Sequence, residues 1–240
     1  MNRLVICILL AILATPVPME AQRIFLLSVG VADYPGRDND LVLPAKDARA
    51  IYNLYKTNTK TISVLLTNKD ARKASILSEA NKLFGQARPD DIVVFFFSGH
   101  GSDDGFVAVD DILYYGEVRR MFADCKARNK IVFADSCLSG ILRDNPGGNG
   151  LNDPKNNIML FLSSRSHEYS IENTQMQNGF FTTCLIRSLK GGADVNRDRI
   201  ITAKELFTAV SKGVKIMSIN QQHPVMWGNF EDTMPVMVWK

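Results

Sequence analysis

The chain alternates between short, continuously apolar runs and longer stretches with apolar residues at helical spacing. Arg23 to Val31, Thr61 to Thr67, Ile92 to Phe97, Lys130 to Ala134 and Ile158 to Ser163 are rich in β-branched and aromatic residues and have strand length. Thr61 to Thr67 predicts a strand, and the other runs predict buried strands, with Arg23 to Val31 buried on both faces. Between them lie helix patterns. Pro44 to Tyr55 repeats through Ala45, Ala48, Ile51, Leu54 and Tyr55, with Pro44 placed to open the helix. Lys73 to Ala87 carries Ile76, Ala80, Leu83 and Phe84 as its stripe, and Gly116 to Ala127, Phe180 to Leu189 and Ala203 to Val214 read as further helices. Gly105 to Val109 predicts a short strand or hairpin arm, and Val225 to Val238 a docked tail with a late strand. Strand–helix alternation throughout predicts an α/β fold with a mainly parallel central sheet and helices on both faces.

The N-terminal pattern differs. Met1-Asn2-Arg3 is positive, Leu4 to Ala14 is continuously apolar but too short to span a bilayer, and Pro16 and Pro18 break it before Ala21. This is the pattern of a secretory signal peptide over residues 1–21, which leaves 22–240 as one domain and no stable membrane span. Asp144 to Asn157 contains Asn145-Pro146-Gly147-Gly148-Asn149-Gly150 and Asn152-Asp153-Pro154 and predicts an exposed mobile linker. A length of 240 residues suits this single-domain reading, and a net charge of +3 is too weak to indicate nucleic acid as a partner. Of four cysteines Cys7 leaves with the leader; Cys125, Cys137 and Cys184 remain, an odd number that leaves at least one free thiol.

Two apolar runs stop on small, polar, glycine-bearing turns. The first ends Phe97-Ser98-Gly99-His100-Gly101, and the second Ala134-Asp135-Ser136-Cys137-Leu138-Ser139-Gly140. Parallel strands ending side by side would bring a histidine and a cysteine to the carboxyl edge of the sheet, where open α/β folds build their sites. A thiol is a strong nucleophile as thiolate, and an adjacent imidazole is its usual proton acceptor. The N–H groups of Gly101 and Cys137 are candidates for an oxyanion hole. The pattern points to thiol-based acyl transfer, with Cys137 and His100 as the catalytic pair. His167 and His223 lack such a strand-end presentation and are poor candidates for the base.

These two blocks resemble those of the caspase-like cysteine peptidases, specifically the metacaspase branch: Phe97-Ser98-Gly99-His100-Gly101 is similar to its histidine block and Asp135-Ser136-Cys137-Leu138-Ser139-Gly140 to its cysteine block. The resemblance covers Ile24 to the end and implies a caspase-like fold and cysteine endopeptidase activity on peptides or proteins, with no cofactor required. It implies that Ser98, Asp135 and Asp47 line the pocket for the residue before the scissile bond. Carboxylates there favour arginine or lysine and exclude acidic side chains. It also implies self-cleavage after the cysteine block, for which Arg143 and Lys155 flank the linker.

Calcium enters in two ways. Asp110 and Asp144 match positions of an aspartate cluster that some members of the branch use, but Tyr115 and Gly116 stand where its paired aspartates belong. Separately, Asp194, Asn196, Asp198 and Glu205 have the ligand spacing of a calcium loop, with Arg199 where the sharp turn wants glycine. The same aspartates also suit a turn capping the helix that begins near Thr202. The reading is therefore an exported bacterial peptidase, periplasmic or extracellular. Its rivals are an inactive caspase-like homologue used as a binding module and a calcium-binding interaction module.

Overall fold

The structure is a computed structural model and describes residues 22–136, 158–165 and 176–239. The leader, the linker, Arg143, Lys155, His167 and Cys137 itself lie outside the described residues. The strands of the central sheet are β1 (Ile24–Gly30), β2 (Thr61–Thr67), β3 (Ile92–Gly99), β6 (Asn129–Ser136), β7 (Ile158–Leu162) and β9 (Val225–Gly228). They lie in the order β2-β1-β3-β6-β7-β9. All neighbours are parallel except β7 and β9. The short strands β4 (Gly105–Val107) and β5 (Ile112–Tyr114) form a hairpin. β8 (Ile200–Thr202) pairs antiparallel with β10 (Pro235–Val238).

The helices are α1 (Pro44–Lys56), α2 (Lys73–Phe84), α3 (Tyr115–Arg120), α4 (Phe180–Arg187) and α5 (Ala203–Met217). Strand alternation sorts them onto two faces. Phe25, Leu27, Val29, Phe95, Phe97 and Val132 pack with residues of α2 and α3. Leu26, Val94, Phe96, Ile131, Phe133 and Phe161 pack with residues of α1, α4 and α5. Both faces are thus covered, as the absence of polar alternation requires.

The predicted tail proves to be two strands with different partners, one closing the main sheet and one meeting β8, which the sequence pattern did not reveal. The predicted helix 116–127 is regular only over Tyr115–Arg120. Beyond it the N–H groups of Phe122, Ala123 and Cys125 bond three residues back, so the chain tightens into short turns. Among the described residues no helix is long and apolar enough to cross a membrane.

Candidate active site

The β3–β6 register decides what meets at the carboxyl edge. Phe96 pairs with Phe133, Ser98 with Asp135 and Gly99 with Ser136. Two residues separate side chains on one face of a strand, so Ser98 continues the face of Phe96 and Asp135 that of Phe133. The apolar face covered by α1 and α4 therefore turns polar at its last step. His100 follows β3 directly, and Cys137 follows Ser136 in the chain.

Asp47 comes to this spot from the first turn of α1. That helix packs tightly on the end of β1 because Gly30 has no side chain: a Cβ there would lie 2.7 Å from the Ala48 Cβ. Asp47 is only 2 % exposed. Its Oδ2 accepts from the Ser98 hydroxyl at 3.0 Å, and its Oδ1 from the Asn178 amide at 2.9 Å and the Gly179 N–H at 3.1 Å. Asp135, also buried, accepts from both the N–H and the hydroxyl of Thr182 at 3.2 and 2.8 Å. A Cβ on Gly179 would sit 2.7 Å from Asp135 Oδ2 and 3.5 Å from Asp47 Oδ2, so both carboxylates face one small space at the head of α4. Burial, and then repulsion from Asp135, push the Asp47 carboxyl up to about 8, against the pull of its three hydrogen bonds. The ionised form of Asp47 is therefore disfavoured beside Asp135.

His100 is held from two sides. Its backbone N–H donates to the Tyr34 hydroxyl at 2.9 Å, and that hydroxyl donates to the Val107 carbonyl at 3.0 Å. The Tyr34 and His100 rings are 4.8 Å apart. Burial pushes the Tyr34 phenol up, so it stays neutral and able to donate. His100 Nε2 lies 2.8 Å from the Asn39 carbonyl oxygen. A carbonyl only accepts, so Nε2 carries the proton and Nδ1 keeps its lone pair in the neutral ring. Gly101 bridges to Phe106 of the hairpin, and the Val107 N–H bonds the His100 carbonyl at 2.9 Å. Lys73 braces the other side of that hairpin through Asp111 at 3.1 Å and Glu117 at 3.2 Å.

Ser98, Asp47 and Asp135 are thus brought together, and His100 and Gly101 stand at the end of the same strand as Ser98. Tyr34, Asn39, Asn178 and Thr182 are additions that the sequence reading missed. Asn39 acts through a backbone carbonyl, which no side chain announces. The Asn178-Gly179 pair ahead of a helix was the one readable signal.

The candidate calcium residues are engaged elsewhere. Asp194 accepts from the N–H groups of Asp198 and Arg199 at 3.2 and 3.1 Å, and Asp198 from that of Ile200 at 2.8 Å. Asn196 accepts from the Asp198 N–H at 3.0 Å. Glu205 closes a capping box with Thr202 at the start of α5. Asp110 accepts from the Lys73 N–H at 2.9 Å. Among the described residues no group of three or more His, Cys, Asp or Glu is arranged to hold a metal ion.

A mainly parallel six-stranded sheet with helices on both faces, and a histidine and buried acids at its carboxyl edge, defines a caspase-like domain. The family model for the caspase domain matches residues 24–234, and the chain belongs to that family, whose members are cysteine peptidases. Its fold is similar to a crystal structure of a Geobacter sulfurreducens protein, with a TM-score of 0.70 and 16% identity over 91% of this chain and 100% of that one. It is also similar to caspase-1 from Spodoptera frugiperda, with a TM-score of 0.60 and 14% identity over 87% of each chain. At these identities the likeness is one of fold. No curated protein matches the chain in sequence.

Proposed function

We propose that the chain is a cysteine endopeptidase of the metacaspase type that cuts after arginine or lysine, with Cys137 as nucleophile and His100 as general base and acid. The observation that carries the specificity is the paired burial of Asp47 and Asp135 around one space, with Asp47 bonded only to neutral donors. Two buried carboxylates facing one space are poorly stabilised when both are ionised, and a guanidinium or ammonium entering beside them would let both ionise. The in-register ends of β3 and β6 support the catalytic pair, since His100 and Cys137 each follow the last residue of a paired strand.

In this mechanism His100 Nδ1 takes the Cys137 proton and the thiolate sulfur bonds to the carbonyl carbon. The oxyanion is met by the Gly101 and Cys137 N–H groups. Collapse breaks the C–N bond as His100 returns the proton to the leaving amine, and water then releases the acyl group by the same steps. Self-cleavage would fall at Arg143 or Lys155, and removal of residues 1–21 would accompany export to the periplasm or exterior.

A panel of fluorogenic peptides with Arg, Lys, Asp or Leu before the scissile bond tests this, run on the protein and on Cys137→Ala and His100→Ala. Turnover confined to Arg and Lys and lost in both variants is expected. Turnover after Asp would overturn the acidic pocket, and unchanged turnover in Cys137→Ala would overturn the nucleophile.

A further inference from the structure

A cavity of about 450 Å³ opens between α4 and α5 and shares no lining residue with the site above. The two helices approach closely where Gly213 leaves room for Cys184, whose Sγ would lie 2.7 Å from a Cβ at that glycine. Beyond that point Ala209 leaves open a space that a larger side chain would occupy. The volume lies within the roughly 300–1,000 Å³ of small-molecule sites.

The lining is chemically one-sided. Arg187 and Lys212 border the cavity, and no acidic residue does. Both are exposed, and neither has an ion-pair partner among the described residues. Ser188 also lines the cavity. Apart from Thr183, whose hydroxyl donates to the Asn178 carbonyl at 3.4 Å, the remaining side chains of the wall are apolar: Cys184 with Met217 3.5 Å away, Ala209, and Ile216, which is 68 % exposed at the rim. Burial pushes the Cys184 thiol up to about 11, so this wall carries no negative charge.

We propose that this cavity binds a small amphipathic anion, a carboxylate on a short aliphatic tail. Arg187 and Lys212 meet the carboxylate, the Ser188 hydroxyl donates to it, and Cys184, Ala209, Met217 and Ile216 surround the tail. Two unpaired cations select charge, and the apolar wall selects against a bare ion such as acetate. The reverse side of the same helix, through Gly179 and Thr182, holds the Asp47 and Asp135 carboxylates.

The test is isothermal titration of the full chain with octanoate, which stays monomeric at millimolar concentration, against acetate and octan-1-ol. The expected result is saturable one-to-one binding of octanoate. Acetate and octan-1-ol should each bind more weakly by about tenfold or more, a difference of about 1.4 kcal/mol. Arg187→Gln/Lys212→Gln should weaken octanoate by a similar factor, and Ala209→Leu, which fills the cavity, should abolish binding. Circular dichroism confirms that each variant is folded. Absence of saturation, equal binding of octan-1-ol, or unchanged affinity in the double variant would overturn the proposal. Because binding is read directly, the result stands apart from whether the protein cleaves peptides.

Discussion

The Nε2 atom of His100 lies 2.8 Å from the carbonyl oxygen of Asn39, and the backbone N–H of the same histidine lies 2.9 Å from the Tyr34 hydroxyl. The first contact sets which ring nitrogen carries the proton; the second sets where the ring stands. Nitrogen-15 spectra of the imidazole in Cys137→Ala are expected to show the Nε2–H tautomer for His100. An Nδ1–H tautomer would remove the base from the proposed mechanism. Tyr34→Phe leaves the His100 N–H and the Val107 carbonyl without their partner, a loss of about 1–3 kcal/mol. The expected signature is a lower Tm together with a kcat reduced about tenfold and a KM little changed, since the substrate pocket lies on other residues.

Asp47→Asn separates charge from shape. An asparagine Oδ1 can accept from Asn178 and Gly179 as the carboxylate does, and its Nδ2 can donate to the Ser98 hydroxyl. The Asp47 carboxyl is raised to about 8 in the folded chain, so between its ordinary value and about 8 the folded state holds a proton that the unfolded state lacks. Stability therefore falls as pH rises across that window. The amide has no such proton to lose. Asp47→Asn is expected to gain stability over the wild type as pH rises, with a higher Tm at pH 8.5 and an equal one near pH 4. Its kcat/KM on arginine and lysine substrates should fall by about a hundredfold or more, the loss of a buried charge-assisted contact. A variant less stable at pH 8.5 than the wild type would mean that Asp47 is ionised and paired in the native state.

The same proton gives a substrate signature. A cationic side chain favours the charged form of Asp47 and lowers its pKa. KM for basic substrates should therefore fall as pH rises through about 8, while Asp47→Asn shows no such dependence on this group. A KM for arginine substrates that is flat in the wild type from pH 6 to 9 would separate Asp47 from substrate binding.

Gly179 tests the width of the pocket without adding or removing a charge. An alanine Cβ would stand 2.7 Å from Asp135 Oδ2, inside the space between the carboxylates. Gly179→Ala is expected to cost about 1–3 kcal/mol in stability through overpacking and to raise KM for arginine more than for lysine, because the planar guanidinium needs more width. Equal KM values for both substrates, at wild-type level, would place the substrate side chain elsewhere.

Much of this was readable in the sequence because the signals were local. The buried strands announced themselves as unbroken apolar runs, and β2, a partly exposed edge strand, also falls on the predicted Thr61 to Thr67. The step from Phe96 to Ser98 and from Phe133 to Asp135 is visible in the strings, but that the two steps meet required the register. Strand lengths carried less information: β3 and β6 continue to Gly99 and Ser136 because polar residues still pair along the backbone after the apolar run has ended. What remained hidden was non-local or made by the main chain. Tyr34 and the Asn39 carbonyl lie more than sixty residues from the histidine they hold. The separation of the tail into β9 and β10 depends on partners at Leu160 and Ile201, which no pattern within the tail encodes.

The loop from Asp194 to Glu205 offers a separate prediction, because its sequence spacing and its hydrogen bonds point in different directions. Arg197 and Arg199 sit at φ of 61° and 68°, a left-handed conformation that costs a non-glycine residue roughly 1–2 kcal/mol. The loop holds it by turning its carboxylates inward onto the N–H groups of Asp198, Arg199 and Ile200. Asp194→Ala removes two of those acceptors and should lower stability by about 1–2 kcal/mol in the presence of chelator. Arg199→Gly relieves the backbone and should raise Tm in chelator by roughly 1–3 °C. Calcium should leave the wild-type Tm unchanged, since every one of these carboxylates already accepts from the main chain. A calcium-dependent rise in the wild-type Tm that disappears in Asp194→Ala would instead assign the loop to the metal, and a larger rise in Arg199→Gly would identify Arg199 as the residue that weakens it.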